Sequence, residues 1–483
     1  MAAPELPYAA LDTIPAVLEE IRQVYRQHDF PWVIGYSGGK DSTTALQLVW
    51  LALAGLPPEE RTRPVHVISS DTLVETPVIV DYINEALDRI NLAAAAQQMP
   101  VTARKLTPTL DDTFWVNLIG RGYPAPNDNF RWCTERLKIR ASNRFILEQV
   151  AEHGEIILVL GVRRGESATR DQVMNMHRVS GYKLARHGQL PGAWVYMPIE
   201  HFTTNDVWTY LTQSKSPWGS DNRQLAALYR SAQSGECPLV IDASTSSCGN
   251  SRFGCWVCTV VERDRSMEAM IDNGEEWMIP LLEFRDWLAE TQDPANKPAQ
   301  REYRGRDGRI KTNKEGGVLY RTYTLRFSQE MLRRLLETEK AIQQYDPGFQ
   351  LISQDELREI RRLWIMERQD WEDSLPAIYT AVTGRTLSWE INDVPTPGAI
   401  EAEILAEVSA AHGVPLRLVQ KLIDVEWQHY GMRRRATIHR AIEKTLHEDW
   451  RSLDQVLADA QRNLSGASEL RSMEPYAATQ CDL

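Results

Sequence analysis

A short apolar run, Trp32-Val33-Ile34-Gly35-Tyr36, passes directly into Ser37-Gly38-Gly39-Lys40-Asp41-Ser42 and then into a segment with Leu46, Leu48, Val49 and Leu53. Buried strand, glycine turn and helix in that succession constrain the fold more than any other stretch, because they form the first half of a strand-helix-strand unit. Glycines 38 and 39 permit a tight turn whose N–H groups point at one anion. Ser37 and Ser42 add hydroxyl donors, the helix adds its positive end and Lys40 adds a full charge. The spacing is not that of the Walker loop, which needs four residues between its first glycine and its Gly-Lys pair. A capped helix after a glycine turn is the plainer reading, but it leaves the lysine and both serines unexplained.

The same alternation continues downstream. A helix with Ile14, Val17, Leu18, Ile21 and Val24 precedes the first strand. Val65 to Ile68, Val101 to Leu106 and Glu155 to Leu160 read as further strands, with helices over Val78 to Leu92 and Leu137 to Val150. Such a pattern predicts an α/β fold, a mostly parallel sheet with flanking helices, and ligands gather at the carboxyl ends of its strands. A helix over His201 to Leu211 follows, then a Ser, Asn, Gly and Cys-rich stretch from Gln213 to Thr259. Beyond Glu262 helical periodicity dominates, as in Met331 to Gln343, Gln354 to Glu367 and Ile400 to Ser409. The expected organisation is a nucleotide domain over 1–212, a cysteine-rich module over 213–265, a mainly helical carboxyl-terminal domain over 266–462 and a flexible tail over 463–483.

At 483 residues the chain is long enough for two or three domains, and 43% hydrophobic with 25% charged residues is the balance of a folded protein. A formal charge of −12 excludes a protein that coats nucleic acid with its whole surface, leaving only local basic patches. No apolar run is long enough to span a bilayer and the first residues lack a signal core, so a cytoplasmic protein without membrane contact is expected.

Four of the six cysteines crowd into Cys237-x10-Cys248-x6-Cys255-x2-Cys258. In a reducing compartment four clustered thiolates point to a metal rather than to disulfides, and their spacing fits zinc as well as an iron-sulfur cluster. Cys133 stands between Arg131 and Arg136, whose charges are expected to depress its pKa. Cys481 is given no role.

Ser37 to Ser42 resembles the PP-loop of ATP pyrophosphatases and phosphoadenylylsulfate reductases (adenine nucleotide alpha hydrolase-like proteins). Ile68-Ser69-Ser70-Asp71-Thr72 with Glu75-Thr76-Pro77 is similar to that family's second nucleotide turn. Arg131-Trp132-Cys133-Thr134 with Lys138 is similar to its third block, and Gly161 to Ser167 with Arg170 to its fourth. Chemically, Arg163, Arg164 and Arg170 suit phosphate clamping, and Asp41 suits Mg2+. The resemblance implies that Ser37, Gly38, Gly39, Lys40, Asp41, Ser42, Asp71, Gly161 and Arg163 bind ATP, which is cleaved between its α- and β-phosphates.

The PP-loop combined with four cysteines resembles the DndC family, the sulfurtransferases of bacterial DNA phosphorothioation systems, over about residues 10 to 340. That resemblance implies a [4Fe-4S] cluster, in preference to zinc, on Cys237, Cys248, Cys255 and Cys258. It also implies DNA as the acceptor, a cysteine desulfurase as sulfur donor, and a DndD-like ATPase and a DndE-like DNA-binding protein as partners. Cys133 would carry a persulfide or ligate the cluster, and a buried structural thiol is the alternative. Other readings are a phosphoadenylylsulfate or adenylylsulfate reductase, a tRNA thiolase, and a non-catalytic scaffold. Thr479-Gln480-Cys481-Asp482-Leu483 does not match the terminal nucleophile segment of the reductases.

Between Arg301 and Arg326 eight basic residues (Arg301, Arg304, Arg306, Arg309, Lys311, Lys314, Arg321 and Arg326) face three acidic ones, with Tyr303, Tyr320 and Tyr323 between them. Glycines at 305, 308, 316 and 317 suggest a mobile hairpin able to follow a phosphate backbone, or a solvated loop. Arg433-Arg434-Arg435 is a weaker patch.

Overall fold

A computed structural model of the protein describes residues 10–164, 183–231, 254–387, 389, 398–430 and 437–472. Gly165, Glu166, Ser167, Arg170, Cys237, Cys248, Arg433, Arg434, Arg435 and Cys481 therefore lie outside the described residues. The described residues fall into two compact units: Met1–Phe114 with Pro126–Asp286, and Trp115–Ala125 with Trp287–Leu483.

The first unit is an α/β layer structure. Helix α1 (Ala10–Gln27) leads into β1 (Trp32–Gly35), α2 (Lys40–Ala54), β2 (Val65–Ser70), α3 (Pro77–Ala96) and β3 (Val101–Leu106). Helix α4 (Arg140–His153), β4 (Ile156–Val159), β5 (Ala185–Arg186), β6 (Ala193–Tyr196), α5 (Thr204–Gln213), α6 (Asn222–Ser231) and α7 (Arg265–Asp272) follow. Strand order is β3-β2-β1-β4-β6-β5, parallel throughout except for the antiparallel edge strand β5. Strand β4 is buried along its whole length, as expected of a strand covered on both faces. On one face Val33, Ile68, Ile156 and Leu158 pack with Phe145 and Ile146 of α4.

Every strand expected from the sequence is present. The short β5 and β6 carry too few residues to show a period, and so went unread. Helix α2 begins at Lys40 rather than near Ser42, with Gly39 as its cap, so Lys40 and Asp41 stand in its first turn. The helix expected over Leu137 to Val150 is displaced to α4, because a π-helical segment, Thr134–Ile139, precedes it. Residues Asn222 to Ser231, inside the stretch read as a cysteine module, form a helix.

The second unit is helical: α8 (Ile279–Glu290) runs into it, then α9 (Leu325–Ile342), α10 (Gln354–Arg368), α11 (Ser374–Thr383), α12 (Ala399–Ala411), α13 (Leu416–His429), α14 (Ile438–Leu446) and α15 (Leu453–Ser472). The last of these continues through residues 463–472, part of the stretch read as a tail. Its core holds a segment far away in sequence, Trp115–Ala125. Trp115 Nε1 donates to Leu351 O at 2.7 Å, and Trp364 Nε1 donates to Ile119 O at 3.0 Å.

Candidate functional site

The order β2-β1-β4 places the point where the chain reverses direction across the sheet between β1 and β4, and the turns after these two strands carry Ser37 to Ser42 and Gly161 to Arg164. Gly38 has φ +73°, a conformation that glycine adopts without strain. Gly161 is required by closeness instead: a Cβ there would lie 2.7 Å from Asp41 O and 2.8 Å from Ser42 N. Ser42 Oγ accepts from Ser37 N at 3.2 Å and donates to Gly39 O at 3.0 Å, which closes the loop on itself.

Asp41 is held between two cations, Lys40 Nζ at 2.9 Å and Arg163 Nε at 2.7 Å. Arg163 is 7% exposed and also donates to Thr204 Oγ1 at 3.1 Å. These contacts bring Lys40, Asp41 and Arg163 together at the positive end of α2, a set able to neutralise phosphate charge. Arg164 is directed elsewhere, pairing with Glu200 at 2.6 Å. Tyr229 of α6 completes the cradle: its hydroxyl accepts from Lys40 N at 3.3 Å, and Lys40 Nζ lies 5.6 Å from its ring centroid. Sequence reading missed Tyr229 and Thr204. The helical spacing of Leu225, Ala226 and Tyr229, all buried, was the available signal for the first.

The turn after β2, at the same sheet edge as the turn after β1, meets the cysteines. Asp71, buried, accepts from Leu73 N at 2.8 Å and pairs with Lys105 at 3.0 Å. Next to it Thr72 Oγ1 lies 3.3 Å from Cys255 Sγ and donates to Glu75 Oε1 at 3.0 Å. Glu75 and Cys255 form an antiparallel bridge, Trp256 N donates to Val74 O at 3.0 Å, and Thr76 Oγ1 donates to Gly254 O at 3.1 Å. Cys255 and Cys258 form a tight turn, with Cys258 N donating to Cys255 O at 3.0 Å. Thr259 Oγ1 anchors its end to Pro126 O at 2.7 Å.

Burial raises the Cys255 thiol pKa, and the Glu75 carboxylate adds to the rise. Cys133 departs from the expectation of a depressed pKa. Burial, reinforced by the neighbouring Cys258, pushes its pKa up rather than down, because Arg131 is taken by Asp128 at 2.6 Å and Arg136 by Asp112 at 2.6 Å. Lys138 pairs with Glu75 at 3.3 Å; burial disfavours its charge, but Cys255 and Glu75 outweigh that and hold its pKa above the ordinary range. Among the described residues no three His, Cys, Asp or Glu side chains are arranged to hold a metal ion. The donors that are present fit a thiophilic centre: Cys133, Cys255 and Cys258 are free thiols, with a hydroxyl against one sulfur.

In the second unit, residues 301–323 form paired hairpins, with Arg301 opposite Tyr323, Arg304 opposite Ile310 and Thr312 opposite Val318. Three of the eight cations serve the fold. Arg301 is buried and donates to Thr291 O at 2.9 Å, Arg304 stacks 4.3 Å from the Trp450 ring, and Arg306 pairs with Glu367 at 2.6 Å. Arg309, Lys311, Lys314 and Arg326 are exposed and Arg321 partly so, and none of these five has an ion pair among the described residues.

A glycine-turn cradle at the switch point of a parallel sheet defines a PP-loop-like nucleotide-binding α/β domain. Residues 31–261 match the family model of the phosphoadenosine phosphosulfate reductase domain, so that part of the chain is similar to a domain of this kind. An uncharacterized protein of Methanocaldococcus jannaschii is 23% identical over 242 residues, covering 50% of this chain and 39% of the relative, so the chain spans about two fifths of that relative's length. Among solved structures, phosphoadenylyl-sulfate reductase from Candida auris is 17% identical over 47% of this chain and 95% of its own, with a TM-score of 0.28. FMN adenylyltransferase from Candida glabrata is 13% identical over 49% and 64%, TM-score 0.28. The U34-tRNA thiolase NcsA from Methanococcus maripaludis, with its [4Fe-4S] cluster, is 15% identical over 58% and 80%, TM-score 0.26. Among the described residues no helix is long and apolar enough to cross a membrane.

Proposed function

We propose that the protein is an ATP-dependent sulfurtransferase that activates a DNA backbone phosphate and replaces one of its non-bridging oxygens with sulfur. One observation supports this above the others: β1 and β2 pair in parallel, so the glycine turn and the Asp71–Thr76 loop leave the same edge of the sheet, and that loop pairs with the cysteine turn.

In the proposed reaction an acceptor phosphate oxygen attacks the α-phosphorus of Mg2+-bound ATP, the α–β bridging bond breaks, and pyrophosphate leaves. Lys40, the Gly38–Ser42 amides and Arg163 hold the departing charge, and Asp41 keeps both cations aligned until phosphate takes its place between them. A persulfide, formed with sulfur from a cysteine desulfurase, then attacks the adenylated phosphorus and AMP departs with the oxygen; a thiol attacks the carrier sulfur of the resulting S–S bond, forming a disulfide with the carrier cysteine and leaving the outer sulfur on phosphorus. Cys255 and Cys258, together with Cys237 and Cys248, would hold a [4Fe-4S] cluster, which supplies a thiophilic and redox-active centre. Cys133, which feels the charge of Cys258, would be either a persulfide carrier or a further ligand. The exposed cations of the 301–326 hairpins would track the DNA backbone. DndD-like and DndE-like proteins are the expected partners.

The match to the reductase domain favours one second reading, reduction of an adenylylated sulfate. Product analysis separates the two. With ATP, Mg2+ and duplex DNA, AMP and pyrophosphate are expected, and Lys40→Ala should lower their formation by about 100-fold or more. ADP with phosphate, or sulfite released from an adenylylated sulfate without ATP turnover, would overturn the proposal.

A further inference from the structure

Helix α8 lies beyond residue 261, where the matched domain ends, yet two of its side chains close on the cysteine turn. Phe284 meets the Trp256 ring edge-on at 5.8 Å. Arg285, only 1% exposed, spreads its guanidinium over the backbone that follows: Nε donates to Cys258 O at 2.9 Å, one terminal nitrogen to Glu262 O at 2.8 Å and the other to Val261 O. Among the described residues its ion pair is with Asp286 at 2.6 Å, whose side chain is 53% exposed, and its charge also acts on the Asp264 carboxylate.

A guanidinium this deep has lost its water, and three carbonyl dipoles, the half-exposed Asp286 and the charge of Asp264 stand in for it. Thiolates bound to a metal would add further negative charge for this guanidinium to offset. The fork is also specific in shape. Donors on three nitrogens fix the carbonyls of Cys258, Val261 and Glu262 in one orientation, which a lysine ammonium cannot do.

We propose that Arg285 is a positioning residue of the cysteine centre. It fixes the backbone that aims the Cys258 thiolate, and its buried charge offsets the charge of the ligated thiolates. The inference rests on Cys255 and Cys258 being metal ligands, and it makes α8 part of a centre whose cysteines belong to the preceding domain.

The test compares wild type, Arg285→Lys and Arg285→Gln as full chains purified without oxygen. Readouts are iron, sulfide and zinc content, the rate of metal release to a chelator, the reduction potential, the alkylation rate of Cys258 and the melting temperature. Both variants should release metal about tenfold faster or more. Arg285→Gln should also shift the potential to more negative values, while Arg285→Lys, which keeps the charge, should restore it toward wild type. Unchanged release rate and potential, even with a lower melting temperature, would reduce Arg285 to a core staple and overturn the proposal. If Arg285→Gln does not fold, Arg285→Lys decides through metal release and Cys258 alkylation. Wild-type protein holding neither iron nor zinc would sink the metal-ligand reading instead, and the alkylation rates would still decide whether Arg285 aims that thiol.

Discussion

At the scale of single residues, backbone closeness and burial govern the cradle. Gly161 stands against Asp41 and Ser42 with no space for a methyl group. Gly161→Ala should push α2 away from β4, cost about 1–3 kcal/mol in stability by overpacking and weaken ATP binding, measurable by calorimetry and thermal unfolding. Tyr36, just after β1, is 2% exposed, and burial pushes its pKa up to about 12. Burial likewise raises Tyr25, Tyr82, Tyr196 and Tyr210. A phenol with a raised folded pKa favours the fold while protonated, so this stability is complete below about pH 10 and is lost as pH rises through the folded values. Alkaline titration followed by absorbance should therefore show at least five of the 16 tyrosines ionising late, together with unfolding of the first unit. Tyr36→Phe should move the onset of unfolding to higher pH. Smooth ionisation of all tyrosines near pH 10 in folded protein would contradict this.

At the scale of elements, Arg368 at the end of α10 shows how irregular backbone is held in a helical unit. It donates to Ile119 O at 3.0 Å, Gly120 O at 3.2 Å, Ser328 Oγ at 2.8 Å and Tyr323 O at 2.7 Å. Removing the guanidinium takes this donor from Gly120 O and Tyr323 O and leaves Ile119 O with Trp364 alone, so Arg368→Met should destabilise the second unit by about 3 kcal/mol in denaturant unfolding. Elements were legible where their period was long. The expected helices over Met331 to Gln343 and Gln354 to Glu367 correspond to α9 and α10. Where tertiary contacts override period, reading failed: Thr134–Ile139 is π-helical, and its wider turn shifts the start of α4. The charge argument for Cys133 failed for a related reason, since Arg131 and Arg136 were counted as neighbours in sequence but are neutralised by Asp128 and Asp112.

At the scale of the whole molecule, a net charge of −12 coexists with exposed cations concentrated on the 301–326 hairpins. If these contact DNA, Lys311→Ala with Lys314→Ala should weaken binding across sequences and reduce the slope of log affinity against log salt by about two. The folded first unit should be unaffected, since both side chains are exposed and belong to the second unit. An unchanged salt slope would remove these lysines from the interface.

The sequence alone determined the parallel sheet, its strand-turn-helix opening and the glycine turn between them, because hydrophobic period and glycine turns act locally. It also marked the cysteine turn, since four thiols so near each other are chemically conspicuous. Only the tertiary structure decided which groups meet. Tyr229 reaches Lys40 across 189 positions, Cys255 reaches Thr72 across 183, and Arg285 closes on Cys258 across 27. Those meetings depend on how sheet and helices pack, a cooperative property of the whole chain that no local pattern encodes.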